Sequence, residues 1–153
     1  MTTVDYIKLK KLREETGISF ALCKKALEET KNDIQAAKKK LIEWGAKKVE
    51  EKSGRSTGQG GIFSYAHHNN RVAALVELLC ETDFVSGNSE FQELGKMLAM
   101  QVASMPAKSV DTLLAQEYIR EPGKTIQDLL KEAVLKFGEN IKIARFIRLQ
   151  LGE

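Results

Sequence analysis

Residues 61–79, GIFSYAHHNNRVAALVELL, form the segment that decides the fold. Two runs rich in aliphatic and aromatic side chains, 61–66 and 71–79, flank the polar stretch His67-His68-Asn69-Asn70. Apolar runs on either side of a short polar turn predict a β-hairpin, here with a four-residue loop. The sequence therefore predicts antiparallel strands at the start of the larger domain.

Downstream of the hairpin, the sequence predicts two main helices and a returning strand. The first helix covers residues 89–103, and its apolar face comprises Phe91, Leu94, Leu98 and Val102. Thr125 and Asp128 form a capping-box pattern for a second helix that ends at Gly138. Residues 140–149 at first alternate between apolar and polar, as in a strand with one solvated face. This order predicts an α+β fold with a three-stranded antiparallel sheet packed on helices.

Upstream of the hairpin, a glycine-rich stretch divides the chain. Residues 53–61 contain four glycines and no apolar side chain, which is typical of a flexible linker. Residues 1–52 carry 13 Lys/Arg and 9 Asp/Glu, a net +4, whereas residues 53–153 carry 11 and 12, a net −1. We therefore predict a basic N-terminal domain over 1–52, a linker over 53–61 and a core domain over 62–153.

The N-terminal domain is predicted to contain three short helices. We expect Thr2 or Thr3 to cap the first helix and Gly17 to end it. Ser19 is expected to cap the second helix, and Asn32-Asp33 to begin a third that ends at Gly45. The predicted inner faces comprise Val4, Ile7 and Leu12; Cys23, Ala26 and Leu27; and Ile34, Ala37, Leu41 and Trp44.

Length and composition exclude several classes of protein. The chain has 153 residues and is 42% hydrophobic, which is enough for a buried core and too much for wholesale disorder. Its two cysteines cannot form a disulfide scaffold, and its apolar stretches are too short to span a membrane. No basic segment followed by an apolar one opens the sequence, so we expect no export signal and a cytoplasmic location.

Three features could carry chemistry, and a structural interpretation is favoured for each. Gly123-Lys124-Thr125 is similar to the end of a phosphate-binding loop, but Tyr118 stands where that loop needs a glycine. His67 and His68 are adjacent and have no third metal ligand nearby in sequence. Cys23 and Cys80 lie within apolar patterns, although a Cys/His nucleophile pair stays open. We predict no catalytic residues, no metal site and no cofactor, and hence a protein that is not an enzyme.

The basic third helix offers an alternative function. Its Lys38-Lys39-Lys40 run is followed by Glu43, Glu50 and Glu51, and aromatic residues are few. A platform for single-stranded nucleic acid would need aromatics interleaved with basic residues. We favour a solvated helix face, and we keep a small nucleic-acid-binding protein using this basic domain as the alternative.

The segment Thr82-Asp83-Phe84-Val85 follows the second predicted strand and precedes a turn-like Ser86-Gly87-Asn88. A large aromatic side chain between polar residues either folds back onto the core or projects as an anchor for a partner, with Asp83 beside it. On the pattern alone we favour the folded-back arrangement of Phe84.

Three groups of residues, in order along the chain, resemble the elongation factor Ts family, the nucleotide-exchange factors of elongation factor Tu. Residues 12–17 (LREETG), 23–27 (CKKAL) and 33–37 are similar to the family's ubiquitin-associated-like three-helix domain. Residues 81–85 (ETDFV), with Asn88 and Glu90-Phe91, are similar to its second signature. Residues 121–132 and 138–148, which include EPGKTI, GENI and FIR, resemble its C-terminal end.

The resemblance implies a guanine-nucleotide exchange factor that makes and breaks no covalent bond. It implies binding to elongation factor Tu in its GDP and nucleotide-free forms, disturbance of the magnesium site and release of GDP so that GTP can bind. In the motif Thr82-Asp83-Phe84-Val85, Phe84 would insert as a wedge between helices of the GTPase domain. Asp83 would orient the contact. The resemblance implies no direct contact with a membrane or with nucleic acid.

The resemblance also implies a second contact with the GTPase and a dimer. Phe20 and Ala21, at the start of the second helix and supported by Leu12, would bind another face of the partner. Two departures from the family concern this contact: Ala21 is small where a bulky apolar residue is usual, and Leu22 replaces a common acidic residue. The stretch from 106 to 118 is also very short. Short members of the family pair their cores, so a homodimer is expected.

Overall fold

The computed structural model describes residues 2–153, and within them the chain folds as α+β with seven helices and three strands, as predicted. The elements are α1 (Tyr6–Thr16), α2 (Phe20–Glu29), α3 (Ile34–Lys52), β1 (Gln59–Ala66), β2 (Val72–Cys80), α4 (Asp83–Ser86), α5 (Ser89–Ser104), α6 (Val110–Ala115), α7 (Ile126–Phe137) and β3 (Lys142–Gln150). Two compact units result: residues 2–54 with 131–138, and residues 55–130 with 139–153.

The first helix begins later than predicted. The carboxylate of Asp5, not Thr2 or Thr3, caps α1 by accepting hydrogen bonds from the backbone N–H groups of Ile7 (2.9 Å) and Lys8 (3.3 Å). Ile7 is 84% exposed, and Leu9 is buried on the inner face of α1 together with Leu12. The prediction for Ile7 was therefore wrong, whereas the end of the helix at Gly17, in the left-handed conformation, is confirmed.

The second and third helices follow the predicted pattern except at the end of α3. Ser19 and Asp33 cap α2 and α3 as expected. The third helix does not end at Gly45 but continues to Lys52. Gly45 is buried against the backbone carbonyl of Lys131, which belongs to the same unit and leaves no room for a side chain. The glycine therefore serves close packing. The buried core contains Leu9, Leu12, Ile18, Cys23, Ala26, Leu27, Ala37 and Leu41.

The predicted linker is shorter than residues 53–61. Gln59, Gly60 and Gly61 belong to β1 and pair with Cys80, Leu79 and Leu78 of β2. Gly60 adopts a positive φ of 148° beside the carbonyl of Leu78, and a side chain there would collide with it. The glycines at 60 and 61 are thus part of the sheet, and the predicted linker was wrong at its last three residues.

The three strands form an antiparallel sheet in the order β1-β2-β3. The predicted hairpin is confirmed, with its turn closed by a 2.9 Å hydrogen bond from the backbone N–H of His67 to the carbonyl of Val72. One sheet face packs on α5, where Phe63 meets Phe91 edge-on with ring centroids 6.0 Å apart. The buried residues of this face and of α5 include Ala74, Val76, Leu78, Cys80, Phe91, Leu98, Val102 and Ile143.

The remaining helices include one that was predicted and two that were not. The capping box of α7 is confirmed: the amide of Asp128 donates to the Thr125 hydroxyl (3.1 Å), and the amide of Thr125 to the Asp128 carboxylate (3.3 Å). The short helices α4 and α6 were not predicted. Each begins at a hydroxyl cap, Thr82 for α4 and Ser109 for α6.

Candidate partner-binding site

Phe84 projects from the protein surface. It lies in the single turn of α4 and is 88% exposed, the most exposed of the large apolar side chains in residues 2–153. The folded-back arrangement favoured from the pattern was therefore wrong. Its neighbour Val85 is buried, so the two residues face opposite ways and Val85 attaches the turn to the core.

Several polar contacts fix the backbone that carries Phe84. The Thr82 hydroxyl accepts a hydrogen bond from the amide of Val85 (3.4 Å) and donates one to the Glu139 carboxylate (2.6 Å). The thiol of Cys80 donates to the carbonyl oxygen of Thr82 (3.3 Å). Asp83 is exposed at the first position of the turn, adjacent to Phe84. The motif thus divides into residues that hold the turn, Thr82 and Val85, and residues that face solvent, Asp83 and Phe84.

Glu139 is the residue of this site that sequence reasoning missed. It lies within the segment GENI that carried part of the family resemblance, but no role was predicted for it. Its position is 57 residues from Thr82, and no local pattern indicates that the two side chains meet. The only sequence signal is an acidic residue between the end of α7 and the start of β3.

The second predicted contact lies on the compact unit of residues 2–54 and 131–138, which we call the helical unit. Phe20 is 44% exposed at the start of α2, and Ala21 beside it is exposed. Phe20 borders a groove of about 470 Å³. The groove is lined by Tyr6, Leu9, Lys10, Arg13, Glu14, Gly17, Ile18 and Phe20. The guanidinium of Arg13 lies 6.0 Å from the centre of the Phe20 ring, at the outer limit of a cation–π contact.

Neither Leu12 nor Leu22 lines this groove. Leu12 is fully buried, so its side chain supports the helical core and does not reach a partner in this arrangement. Leu22 is half-buried and packs against the same core. The replacement of a common acidic residue at position 22 thus adds to the packing of this unit.

The alternative chemical sites have structural roles. The imidazole of His67 contacts the Tyr65 hydroxyl (Nδ1 to Oη, 3.0 Å), and His68 is exposed at the hairpin turn. The amide of Gly123 donates to the Glu117 carboxylate (2.5 Å), so it does not face a phosphate site. Within residues 2–153, no group of three or more His, Cys, Asp or Glu side chains is placed to hold a metal ion. No helix in that part of the chain is long and apolar enough to cross a membrane.

Both thiols, Cys23 and Cys80, are buried. Burial raises the pKa of the Cys23 thiol, although Thr16 and Arg13 act in the opposite direction. Burial also raises the pKa of the Cys80 thiol, and the negative charge of Glu139 adds to this effect. A nucleophilic cysteine needs a depressed pKa, so the environment of both thiols is opposite to the one that a thiol enzyme requires.

The basic run on α3 is largely neutralised by glutamates of its own unit. Lys38 pairs with Glu15 (2.7 Å) and Lys40 with Glu29 (2.8 Å). The hydrogen bond between Lys40 and Glu29 lowers the pKa of the carboxyl group and raises that of the amine. Phosphate binding would have to break these pairs, which weakens the nucleic-acid alternative.

The sheet face opposite α5 is apolar and open. Cross-strand register brings Leu75 of β2 opposite Ile147 of β3, and Ala73 opposite Leu149. Ser64 and Ala66 of β1 continue the same face on the other side of β2. The large side chains Leu75, Ile147 and Leu149 are all exposed and line a shallow groove of about 240 Å³. We call this surface the open sheet face; it is formed by Ser64, Ala66, Ala73, Leu75, Ile147 and Leu149.

Two family profiles match the sequence. The one described as "Elongation factor Ts, mitochondrial, N-terminal" matches residues 1–48, and the one described as "Elongation factor TS" matches residues 81–153. The second match contains both the turn of Phe84 and Glu139.

Individual bacterial proteins named "Elongation factor Ts" are similar over nearly the whole chain. The protein of Coprothermobacter proteolyticus is 37% identical over 190 aligned positions, covering 95% of this chain and 96% of its own length. A protein of Leptospira biflexa is 36% identical over 189 positions, covering 94% and 96%. The protein of Aquifex aeolicus is 41% identical over 145 positions, which cover 92% of this chain but 50% of the relative. Since 190 positions exceed the 153 residues here, the first relative carries residues with no counterpart in this chain.

Proposed function

The chain belongs to the elongation factor Ts family, and we propose that it is the guanine-nucleotide exchange factor of elongation factor Tu. Membership of this family makes it a translation elongation factor. The observation that carries the exchange proposal is the exposed Phe84 on a fixed turn. A large aromatic side chain held in solvent at 88% exposure gains nothing for the fold and is suited to insertion into a partner.

The proposed mechanism is a competition between two ligands of one GTPase. Phe84 enters between helices of the nucleotide-binding domain, and Asp83 orients the contact at the rim. The complex then favours a form of elongation factor Tu whose magnesium and GDP sites are distorted. Because coupling is reciprocal, the factor by which this protein weakens GDP binding equals the factor by which GDP weakens the binding of this protein. GTP then fills the empty site and releases the factor, and no covalent bond changes.

The helical unit supplies a second contact in this proposal. Phe20 and Ala21 bind another face of the same GTPase, next to the groove between α1 and α2. Lys10, Arg13 and Glu14 line that groove, two cations against one carboxylate, so its net positive charge favours an acidic or carbonyl-rich surface. The basic N-terminal domain of residues 1–52, predicted to be tethered by a linker, would thus raise the affinity without acting on the nucleotide.

The core is proposed to form a homodimer through the open sheet face. Leu75, Ile147 and Leu149 expose apolar surface on a sheet whose other face is already packed. Pairing two such faces would remove both from water, in the manner of a β-sandwich. A Leu75→Glu variant, which places a charge at the centre of the face, is expected to be monomeric by analytical ultracentrifugation. Wild-type protein that is monomeric at the same concentration would overturn the dimer proposal.

The exchange proposal is tested with elongation factor Tu loaded with a fluorescent GDP analogue. Catalytic amounts of this protein, added with excess unlabelled GDP, are expected to accelerate loss of the fluorescent nucleotide. An unchanged release rate at micromolar factor would overturn the proposal. We place this activity in the cytoplasm, in keeping with the bacterial relatives.

A further inference from the structure

The turn that carries Phe84 is held by a side chain from a distant part of the sequence. One carboxylate oxygen of Glu139 accepts hydrogen bonds from the backbone amides of Glu81 and Thr82, each 3.1 Å long. Its other oxygen accepts from the Thr82 hydroxyl at 2.6 Å. Three donors in succession, just before Phe84, therefore point at one carboxylate. Hydrogen bonds to an ionised acceptor are the stronger kind.

A second set of contacts makes this arrangement reciprocal. The carboxylate of Glu81 accepts a hydrogen bond from the amide of Asn140 (3.1 Å) and pairs with the guanidinium of Arg55 (3.1 Å). The side chain of Asn140 in turn donates to the carbonyl of Arg55 (2.9 Å). Residues 81–82 and 139–140 thus exchange side-chain-to-backbone hydrogen bonds in both directions. We call these contacts the Glu81–Glu139 clamp.

The clamp stabilises the short turn that carries Phe84. The helix α4 has four residues, far too few to be stable alone. Phe84 is 88% exposed and contributes little packing, so the turn rests on buried Val85, the Cys80 thiol and the clamp. Removing Glu139 would leave two backbone amides and a hydroxyl without this acceptor and would free the segment between Cys80 and Val85.

We propose that Glu139 is a positioning residue for partner binding. It keeps the Phe84 turn in its projecting conformation before elongation factor Tu arrives, so the cost of ordering the turn is not deducted from the binding free energy. This inference rests on the proposed exchange function, since Glu139 acts through Phe84. It makes a prediction that a merely stabilising role does not: loss of Glu139 weakens binding but leaves the bound complex unaltered.

The test compares three variants in the fluorescent GDP-release assay as the factor concentration is varied. Glu139→Ala is expected to raise the half-saturating concentration about tenfold while the plateau rate stays at the wild-type value, because full occupancy restores the ordered turn. Glu139→Gln keeps one oxygen that can accept from both amides, and a rise of only about threefold is expected. Glu117→Ala removes a carboxylate that accepts a backbone amide elsewhere in the same unit, and it should match the wild type.

Two further measurements keep the inference falsifiable. Hydrogen exchange at the amides of Glu81 and Thr82 should accelerate in Glu139→Ala, while amides of β2 stay protected. In a Phe84→Ala background, Glu139→Ala should add no further rise in the half-saturating concentration. If Glu139→Ala unfolds the unit, Thr82→Val takes its place. This variant removes the 2.6 Å hydrogen bond to Glu139 together with the hydroxyl cap of the Val85 amide, and Thr82→Ser, which keeps the hydroxyl, is its rescue.

The outcomes separate the inference from the function on which it rests. Wild-type protein that fails to accelerate GDP release overturns the exchange function and, with it, the role of Glu139 in partner binding. Accelerated release by wild type, with an unchanged half-saturating concentration for folded Glu139→Ala, overturns the inference alone. A lower plateau rate for Glu139→Ala would also overturn it, because the effect would then lie in the bound complex.

Discussion

The two exposed phenylalanines of this protein are presented in different ways. Phe84 stands 88% exposed on a turn whose backbone is fixed from several sides, whereas Phe20 is 44% exposed beside a groove, with Arg13 near its ring. The first residue is suited to insertion and the second to contact across a surface. In the proposed mechanism, insertion of Phe84 acts on the nucleotide site of the partner, and Phe20 mainly adds affinity.

The largest effect is expected for Phe84→Ala. Truncating an aromatic anchor at the centre of an interface costs about 2–4 kcal/mol of binding, and a loss of roughly a hundredfold in stimulated GDP release at subsaturating factor follows. The fold should be unaffected because the side chain is exposed. The release assay measures the loss, and thermal unfolding checks the fold.

The matched control for Phe84 is Ile119→Ala. Ile119 is another exposed large apolar residue of the same unit, and its backbone amide contact with Gln101 does not depend on the side chain. It should retain wild-type exchange. Equal losses in both variants would show that apolar exposure in general, and not the Phe84 turn, determines activity.

A second prediction concerns the thiols that lie behind the two sites. Cys80 donates to the carbonyl of Thr82 behind Phe84, and Cys23 donates to the carbonyl of Ile18 behind Phe20. Because burial raises both thiol pKa values and limits access, alkylation by iodoacetamide at pH 8 should be at least about tenfold slower in the folded than in the unfolded protein. Mass spectrometry of each cysteine peptide measures this.

The same thiols predict a dependence of stability on pH. Since their folded pKa values lie above the ordinary 9.0, unfolded thiols ionise first as the pH rises. The stability associated with each neutral thiol is therefore present below pH 9 and is lost as the pH rises toward the folded pKa. In the alkylation experiment, fast reaction of Cys80 but not of Cys23 would show that the turn carrying Phe84 opens more readily than the segment behind Phe20. The contrast drawn between a fixed Phe84 turn and Phe20 would then be wrong.

The smallest effect is expected for Phe20→Ala. Phe20 is about half exposed and its neighbour Ala21 offers little area, so a loss of about 1 kcal/mol, or roughly fivefold in the half-saturating concentration, is expected. The plateau rate should not change. Ile7→Ala, an exposed residue on α1 that does not line the groove, is the matched control. A fall in the plateau rate would assign Phe20 a part in nucleotide release.

The sequence predicted those features that depend on local patterns. The hairpin, the apolar face of α5 and the Thr125–Asp128 capping box all follow from residues close in the chain, and the structure confirms them. The three-stranded sheet follows from the periodicity of β3 together with the hairpin.

The features that were missed depend on contacts between distant residues. Gly45 reads as a helix end because glycine costs about 1 kcal/mol in a helix, but its close approach to Lys131 places it inside α3. Phe84 lies on a turn that contacts Glu139, 57 positions from Thr82, and the pattern around Phe84 alone favoured burial. Helix α1 begins after Asp5 and not after Thr2 or Thr3 as predicted, because aspartate is a better N-cap than threonine.

The strand order has a consequence for how the protein is made. β1 and β2 leave the ribosome together, but a two-stranded hairpin is marginally stable, and β3 follows only about 60 residues later. At roughly 5–20 residues per second, the hairpin waits about 3–12 s for its third strand. Glu139 emerges at the same late stage, so the Phe84 turn lacks its clamp during that interval. A nascent chain would thus acquire the contacts of Glu139 with Glu81 and Thr82 only after residue 139 has been synthesised, and shorter chains would lack them.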